Sequence, residues 1–253
     1  MDLQKDIVLE DGDARFFFRY LEWDTRFFNR DSFILDAGMS RLKPSEKIRD
    51  LIAGRLQNSF VTVKIDSGIE RDMLDFFQIA DFKYIDTEIV LRFNNILRDR
   101  MVCQEGIELI EVRENENLPY EKLGSVYSLT RFHSDVHIPR QKADLLWINY
   151  IMNYKPSAYC HMFVAKYGGD VAGALLANET EDRKTVNLFF VSVIEHYRGK
   201  KIGSSLLDYV VRHFRGREIL TGTQVKNIRA LNFYISNGFT IIDATKTVMH
   251  RWS

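Results

Sequence analysis

Short apolar runs separated by polar turns fill the first hundred residues, and their spacing predicts mixed α and β structure. Residues 33–35 form one such run, 44–56 carry the repeat of an amphipathic helix, and 60–65 alternate as a strand. A short helix near 72–79 leads to a strand over 87–93, where Ile89, Leu91 and Phe93 alternate with polar neighbours. The polar stretch 94–100 follows, and a fresh strand pattern begins at 107–112. A domain boundary is therefore expected near residue 100, with an N-terminal α/β domain over 1–100 and a second domain over 101–253.

The second set of elements reads more sharply. A helix-rich region spans 118–154 and is broken near 133–139, where Pro139 restricts its neighbour and a surface loop is expected. Two strands, 159–166 and 171–178, flank Tyr167-Gly168-Gly169-Asp170, a hairpin turn in which glycine tolerates positive φ. A third strand, 185–193, runs into a helix whose Ile202, Leu206, Val210 and Phe214 recur every four residues and face a core, with Gly216 as its stop. A strand at 219–224, a helix at 228–237 ended by Gly238, and a β segment at 239–252 complete the order. No repeat of fixed period appears.

Charge adds little: 35 basic residues balance 35 acidic ones, so the whole chain has no electrostatic bias toward nucleic acid or an anionic membrane. Cys103 and Cys160 lack metal-ligand spacing, the first thirty residues lack a signal-peptide pattern, and no apolar stretch approaches the roughly 20 residues needed to span a bilayer. A soluble protein of a reducing cytoplasm is expected.

The candidate chemistry lies where the 185–193 strand meets the following helix. A helix N-terminus presents unpaired N–H groups and the positive end of its dipole, which together favour a phosphate or pyrophosphate. Gly199 and Gly203 give room for close approach, and Arg198, Lys200 and Lys201 add positive charge. An ordinary connection with solvated basic residues would show the same local pattern.

The string Arg198-Gly199-Lys200-Lys201-Ile202-Gly203 resembles the acetyl-CoA signature of the GNAT superfamily of N-acetyltransferases: Arg or Gln, two residues, Gly, any residue, Gly or Ala. Lys201 stands where the first signature glycine falls. A second block, Asn227-Ile228-Arg229-Ala230-Leu231-Asn232-Phe233-Tyr234 through Gly238-Phe239, resembles the family's Asn, Ala, Phe-Tyr and Gly-Phe segment. The resemblance implies an α/β (α+β) GNAT fold with a mixed, splayed central sheet, and acetyl-CoA entering between the strands at 185–193 and 219–224. It implies cofactor contacts at Val191, Ser192, Val193, Arg198, Gly199, Lys200, Lys201, Ile202, Gly203, Ser204, Asn227, Ala230 and Phe233. The amides of Val191 and Val193 would polarise the thioester carbonyl, and Tyr234 would protonate the departing thiolate as general acid. Asn227 fits an N-cap equally well, Tyr234 a packed aromatic, and the two valines plain core positions.

Residues 21–28, Thr130 to Pro139 and Met249 to Trp252 resemble a narrower group, the TDP-fucosamine-type nucleotide-sugar N-acetyltransferases of cell-surface polysaccharide biosynthesis. That likeness implies a nucleotide-linked amino sugar as acceptor, with His133, Asp135 and His137 bonding sugar hydroxyls or relaying a proton, and possible homodimerisation. The His-Ser-Asp-Val-His spacing superficially suits a metal, but no metal is expected. Such an amine resembles an α-amino group, with a pKa near about 8. Water then suffices as base, with Glu195 as the other candidate. Acetylation of a peptide amine and a noncatalytic acyl-CoA-binding module are the alternatives. The N-terminal domain would supply substrate contacts or an interface.

Overall fold

The structure, a computed structural model, describes residues 5–66, 68, 71–94, 105–113 and 118–253, with 243 and 244 described by backbone only. Its contacts divide the chain into two compact units: Met1–Glu88 with Ser134–His137 and Ala244–Ser253, and Ile89–His133 with Ile138–Asp243. Among the described residues no helix is long and apolar enough to cross a membrane.

The first unit contains β1 (Ile7–Asp11), β2 (Ala14–Tyr20), α1 (Glu22–Phe28), β3 (Asp31–Leu35), α2 (Glu46–Arg55), β4 (Ser59–Asp66), α3 (Arg71–Ile79) and the first part of β5 (Lys83–Phe93). β1, β2 and β3 pair antiparallel, and β3 runs parallel to β4, with α2 as the crossover. The later part of β11 (Phe239–Trp252) pairs antiparallel with β4, from Lys246 opposite Asp66 to Trp252 opposite Phe60. With neighbours on both edges, β4 is buried on both faces from Ser59 to Val63, Thr62 included, so the alternation read there holds only toward its end, at Lys64 to Asp66. Ile48 and Ile52 of α2, one turn apart, pack with Phe16, Phe18, Phe77, Phe82 and Met249.

The second unit takes the rest of β5 with β6 (Ile107–Val112), α4 (Tyr120–Gly124), α5 (Arg131–Ser134), α6 (Arg140–Met152), β7 (Cys160–Tyr167), β8 (Asp170–Glu179), β9 (Thr185–Val193), α7 (Ile202–His213), β10 (Glu218–Gln224), α8 (Ile228–Ser236) and the start of β11. Ser134, the last residue of α5, already belongs to the first unit. β6, β7, β8 and β9 form an antiparallel meander, and β9 then runs parallel to β10 through the α7 crossover. The β7–β8 turn has Gly168 and Gly169 at φ of 61° and 89°, as its sequence requires. Ile202, Leu206, Val210 and Phe214 are buried as one stripe in the larger core.

The second unit follows its predicted order closely, and the first does not. β1, β2 and α1 carry no clear period: Phe16, Phe17 and Phe18 are buried in succession. The region 118–154 breaks into three helices, and 133–139 is not a simple surface loop, since Asp135 and Ile138 are buried. Residues 95–100, on which the expected boundary rested, lie outside the described residues, as does Cys103. The units divide within β5, because Ile89, Leu91 and Phe93 belong to the larger core.

Candidate functional site

β9 and β10 pair only from Thr185 opposite Glu218 to Leu188 opposite Thr221. Beyond that point β9 continues to Val193 along β8, with Val191 opposite Leu175 and Val193 opposite Gly173. The β8–β9 register shifts between Leu176 and Ala177, leaving Phe189 as an extra residue that bends the strand. The two parallel strands therefore part, and the sheet is unclosed where 191–193 pass.

At the parting, the Val191 amide donates to the phenol oxygen of Tyr127 at 2.7 Å, and that hydroxyl donates to the Val191 carbonyl at 3.1 Å. Tyr127 lies between α4 and α5 and is held by Phe190, stacked at 4.7 Å, and Trp147, at 4.8 Å. Burial, and secondarily the nearby Tyr234, push its phenol well above the ordinary range, against the Val191 hydrogen bond, so it stays protonated.

After β9 a single 3-10 turn, Glu195–Tyr197, leads through Gly199 (φ 81°) into α7, whose N-cap is Lys201 in the left-handed region (φ 56°). This is the backbone that glycine adopts freely and a Cβ resists, which accounts for a glycine in the corresponding signature. No side chain caps the helix at Lys201. Helix geometry leaves the amides of Ile202, Gly203 and Ser204 without i−4 carbonyls. Gly203 is needed for packing: a Cβ there would lie 3.0 Å from the Phe233 ring. Arg198 is 3.5 Å from the exposed Glu195, and the Lys200 ammonium sits 4.5 Å above the Tyr167 ring. α2 makes the contrast. Its N-cap Ser45 satisfies the Ile48 amide and donates to Asp11 at 2.6 Å, so a carboxylate already fills that helix terminus.

α8 brings Tyr234 in beneath the parting. Its buried phenol bonds to Thr221, whose hydroxyl donates to the Leu188 carbonyl at 2.9 Å, at the last paired residue of β9. Thr221 thus stands between the phenol and the Leu188 carbonyl. Burial raises the Tyr234 pKa against that hydrogen bond, keeping an acid proton in place at neutral pH. Asn227 accepts from the Ala230 amide at 3.2 Å and is the N-cap of α8.

The acceptor-loop residues fall in different surroundings. His133, in the second unit, is held by Thr130 at 2.7 Å and Asp144 at 3.0 Å. Asp135, in the first unit, has no exposed side-chain surface; it accepts from His250 and Trp252 at 2.7 and 2.8 Å and from the His137 amide at 2.9 Å. Burial would raise this carboxyl, but the hydrogen bonds prevail and hold it at about 2. That is a correction to its expected place on an open sugar-binding wall: its oxygens are committed to the protein. The His137 ring is half exposed.

Sequence reasoning missed Tyr127, Trp147, Phe190 and Thr221. Phe190 and Thr221 sit in strands and read as core and polar positions, and Tyr127 sits in an aperiodic segment. Only the parting of β9 and β10 gives them a site. A separate polar cavity of about 450 Å³, lined by Arg92, Arg217, Glu218 and others, opens at the start of β10, the strand end remote from the 197–203 turn.

Residues 125–239 match the sequence profile of the Acetyltransferase (GNAT) family. The spore coat polysaccharide biosynthesis protein SpsD of Bacillus subtilis (strain 168) is 27% identical over 117 residues, 45% of this chain and 40% of that protein. The chain thus matches well under half the length of this curated relative. A functionally unknown conserved protein of Staphylococcus epidermidis ATCC 12228 has a similar structure, with a TM-score of 0.65 at 14% identity over 97% of this chain and 93% of that one. So does a GCN5-related N-acetyltransferase from Kribbella flavida, with a TM-score of 0.65 at 10% identity over 99% and 91%. At such identities the likeness is one of fold: a GNAT fold with a mixed, unclosed sheet and an additional N-terminal α/β subdomain.

Proposed function

On the match of residues 125–239 to the Acetyltransferase (GNAT) family, we propose that this chain transfers the acetyl group of acetyl-CoA to the amine of a nucleotide-linked amino sugar. The observation that carries the reading is the parting of β9 from β10, with the Val191 amide already directed at an oxygen atom there. An acyl-CoA needs an anion cradle for its pyrophosphate and a polar strand edge for its arm. The uncapped α7 N-terminus with Arg198, Lys200 and Lys201 fits the first, and 191–193 fit the second.

In this reading the amine attacks the thioester carbonyl, and the Val191 and Val193 amides bond the oxygen as it becomes negative. Donors fixed at the developing charge lower the barrier more than donors fitted to the ground state. On collapse the carbon–sulfur bond breaks, and Tyr234, kept protonated by its burial, gives its phenolic proton to the departing thiolate. Tyr127 must leave Val191 for the thioester oxygen to take its place. Water accepts the amine proton, since Glu195 is strongly exposed beside Arg198.

The acceptor class rests on the motif likeness at residues 21–28, 130–139 and 249–252 and on the polysaccharide pathway named for the Bacillus relative. The decisive assay is acetyl-CoA-dependent thiol release with TDP-amino-sugars, simple amines and basic peptides. Turnover confined to amino sugars is expected. Turnover only on peptides would overturn the acceptor, and acetyl-CoA binding with no turnover on any amine would favour a noncatalytic module.

A further inference from the structure

The His133–Asp135–His137 spacing looks like a metal motif in sequence, yet the fold gathers a different set of ligating groups from positions about fifty residues apart. Glu111 of β6, His161 at the start of β7 and His213 at the end of α7 each offer one ligand atom, and these three atoms lie within 4.8 Å of one another. They sit at the strand end of the second unit opposite the turn at 197–203, so nothing in the proposed acetyl transfer uses them.

The imidazole of His161 fixes what the cluster requires. Its Nε2 is 2.7 Å from a Glu179 oxygen and its Nδ1 is 2.9 Å from Glu111 Oε1. The Glu179 side chain is only 3% exposed and is also ion-paired with Arg217, which fixes its carboxylate against the His161 ring. The His161 ring is thus held between two carboxylates, and His213 brings a third side chain with a ligand atom to the same cluster. The exposed His213 ring lies beside those of Phe163 and Phe214, with centroids 5.2 and 4.7 Å away, at the end of the helix.

We propose that Glu111, His161 and His213 bind a divalent cation of the zinc type. Two imidazole nitrogens and one carboxylate oxygen suit Zn²⁺ or Co²⁺ and lack the oxygen donors that Mg²⁺ or Ca²⁺ requires. Glu179 is the carboxylate that orients the ligating histidine through its far nitrogen, a recurrent companion of such sites. Tetrahedral bonds of about 2.0–2.2 Å place ligand atoms about 3.3–3.6 Å apart, so on binding the His161–Glu111 pair, at 2.9 Å, opens and the widest separation in the cluster, within 4.8 Å, closes. The bound ion would tie β6 and β7 to the end of α7.

The test is titration of chelator-stripped protein with Co²⁺ and competing Zn²⁺, read by visible absorption, with thermal denaturation in parallel. One equivalent should bind with the intense bands of a four-coordinate ion, and Zn²⁺ should raise the melting temperature. His213→Asn, an exposed substitution, should weaken binding at least tenfold and abolish the Zn²⁺-dependent shift while the metal-free protein melts as before. Glu179→Gln should weaken binding about tenfold or more. Equal binding by the parent and His213→Asn, or the weak bands of a six-coordinate ion, would overturn the site.

Discussion

The hydroxyl of Tyr127 lies 2.7 Å from the amide nitrogen of Val191 and 3.1 Å from its carbonyl oxygen, standing in for the neighbouring strand that β9 loses after Leu188. One side chain satisfies both polar groups of a residue that keeps β8 on one side and has lost β10 on the other. The proposed donor must compete with it. Tyr127→Phe should lower the stability of the free protein by about 1 kcal/mol, the cost of a buried amide left unpaired. The same change should tighten acetyl-CoA binding about fivefold by calorimetry, because that cost is relieved on binding. Unchanged affinity would mean that the phenol and the thioester oxygen occupy different places. Trp147, against the Tyr127 ring, should report the exchange in its fluorescence.

Tyr234→Phe removes the acid proton and leaves the ring in its packing with Phe233 and Phe239. We expect the turnover number to fall by about 10² to 10⁴ with acetyl-CoA affinity retained. Stopped-flow thiol release measures the first and calorimetry the second; full turnover would remove Tyr234 from the mechanism.

Lys201→Gly should stabilise the protein. Relief of the left-handed backbone is worth about 1–2 kcal/mol, offset by about 0.5–1 kcal/mol for the added freedom of the unfolded chain. A net gain between about 0 and 1.5 kcal/mol in urea denaturation is expected, with weaker acetyl-CoA binding if the ammonium contacts a phosphate.

Asp135 should mark the acid limit of stability. Its carboxyl is held at about 2, below its ordinary value, so on acidification the unfolded chain takes up this proton first. The contribution is complete above about pH 4, is lost as pH falls toward 2, and amounts to roughly 2 kcal/mol. Denaturation midpoints between pH 7 and pH 2 should show this decline in the parent protein and a flatter one in Asp135→Asn, which is already destabilised at pH 7.

The legible half of the molecule is the one whose chemistry is local. The path from β9 through Gly199 to α7, and the stripe from Ile202 to Phe214, follow from turn residues and a four-residue period within one stretch of chain. The opening strands were illegible because Phe16, Phe17 and Phe18 are buried on both faces, which erases alternation. Asp135 was misread because its partners, His250 and Trp252, lie more than a hundred residues away, and a local pattern cannot distinguish a solvated carboxylate from a buried one.

The division of the two units inside β5 and inside β11 has a consequence for synthesis. The first unit takes Met249 into its core and pairs β4 with residues 246–252, so most of its chain is made long before its sheet can be completed. During translation, β4 must wait with an open, apolar edge while the whole second unit emerges. The interval exposes a strand that would otherwise seek a partner on another chain. Cutting the sequence at residue 100 would make that interval permanent, and would take Ile89, Leu91 and Phe93 from the core of the unit left behind.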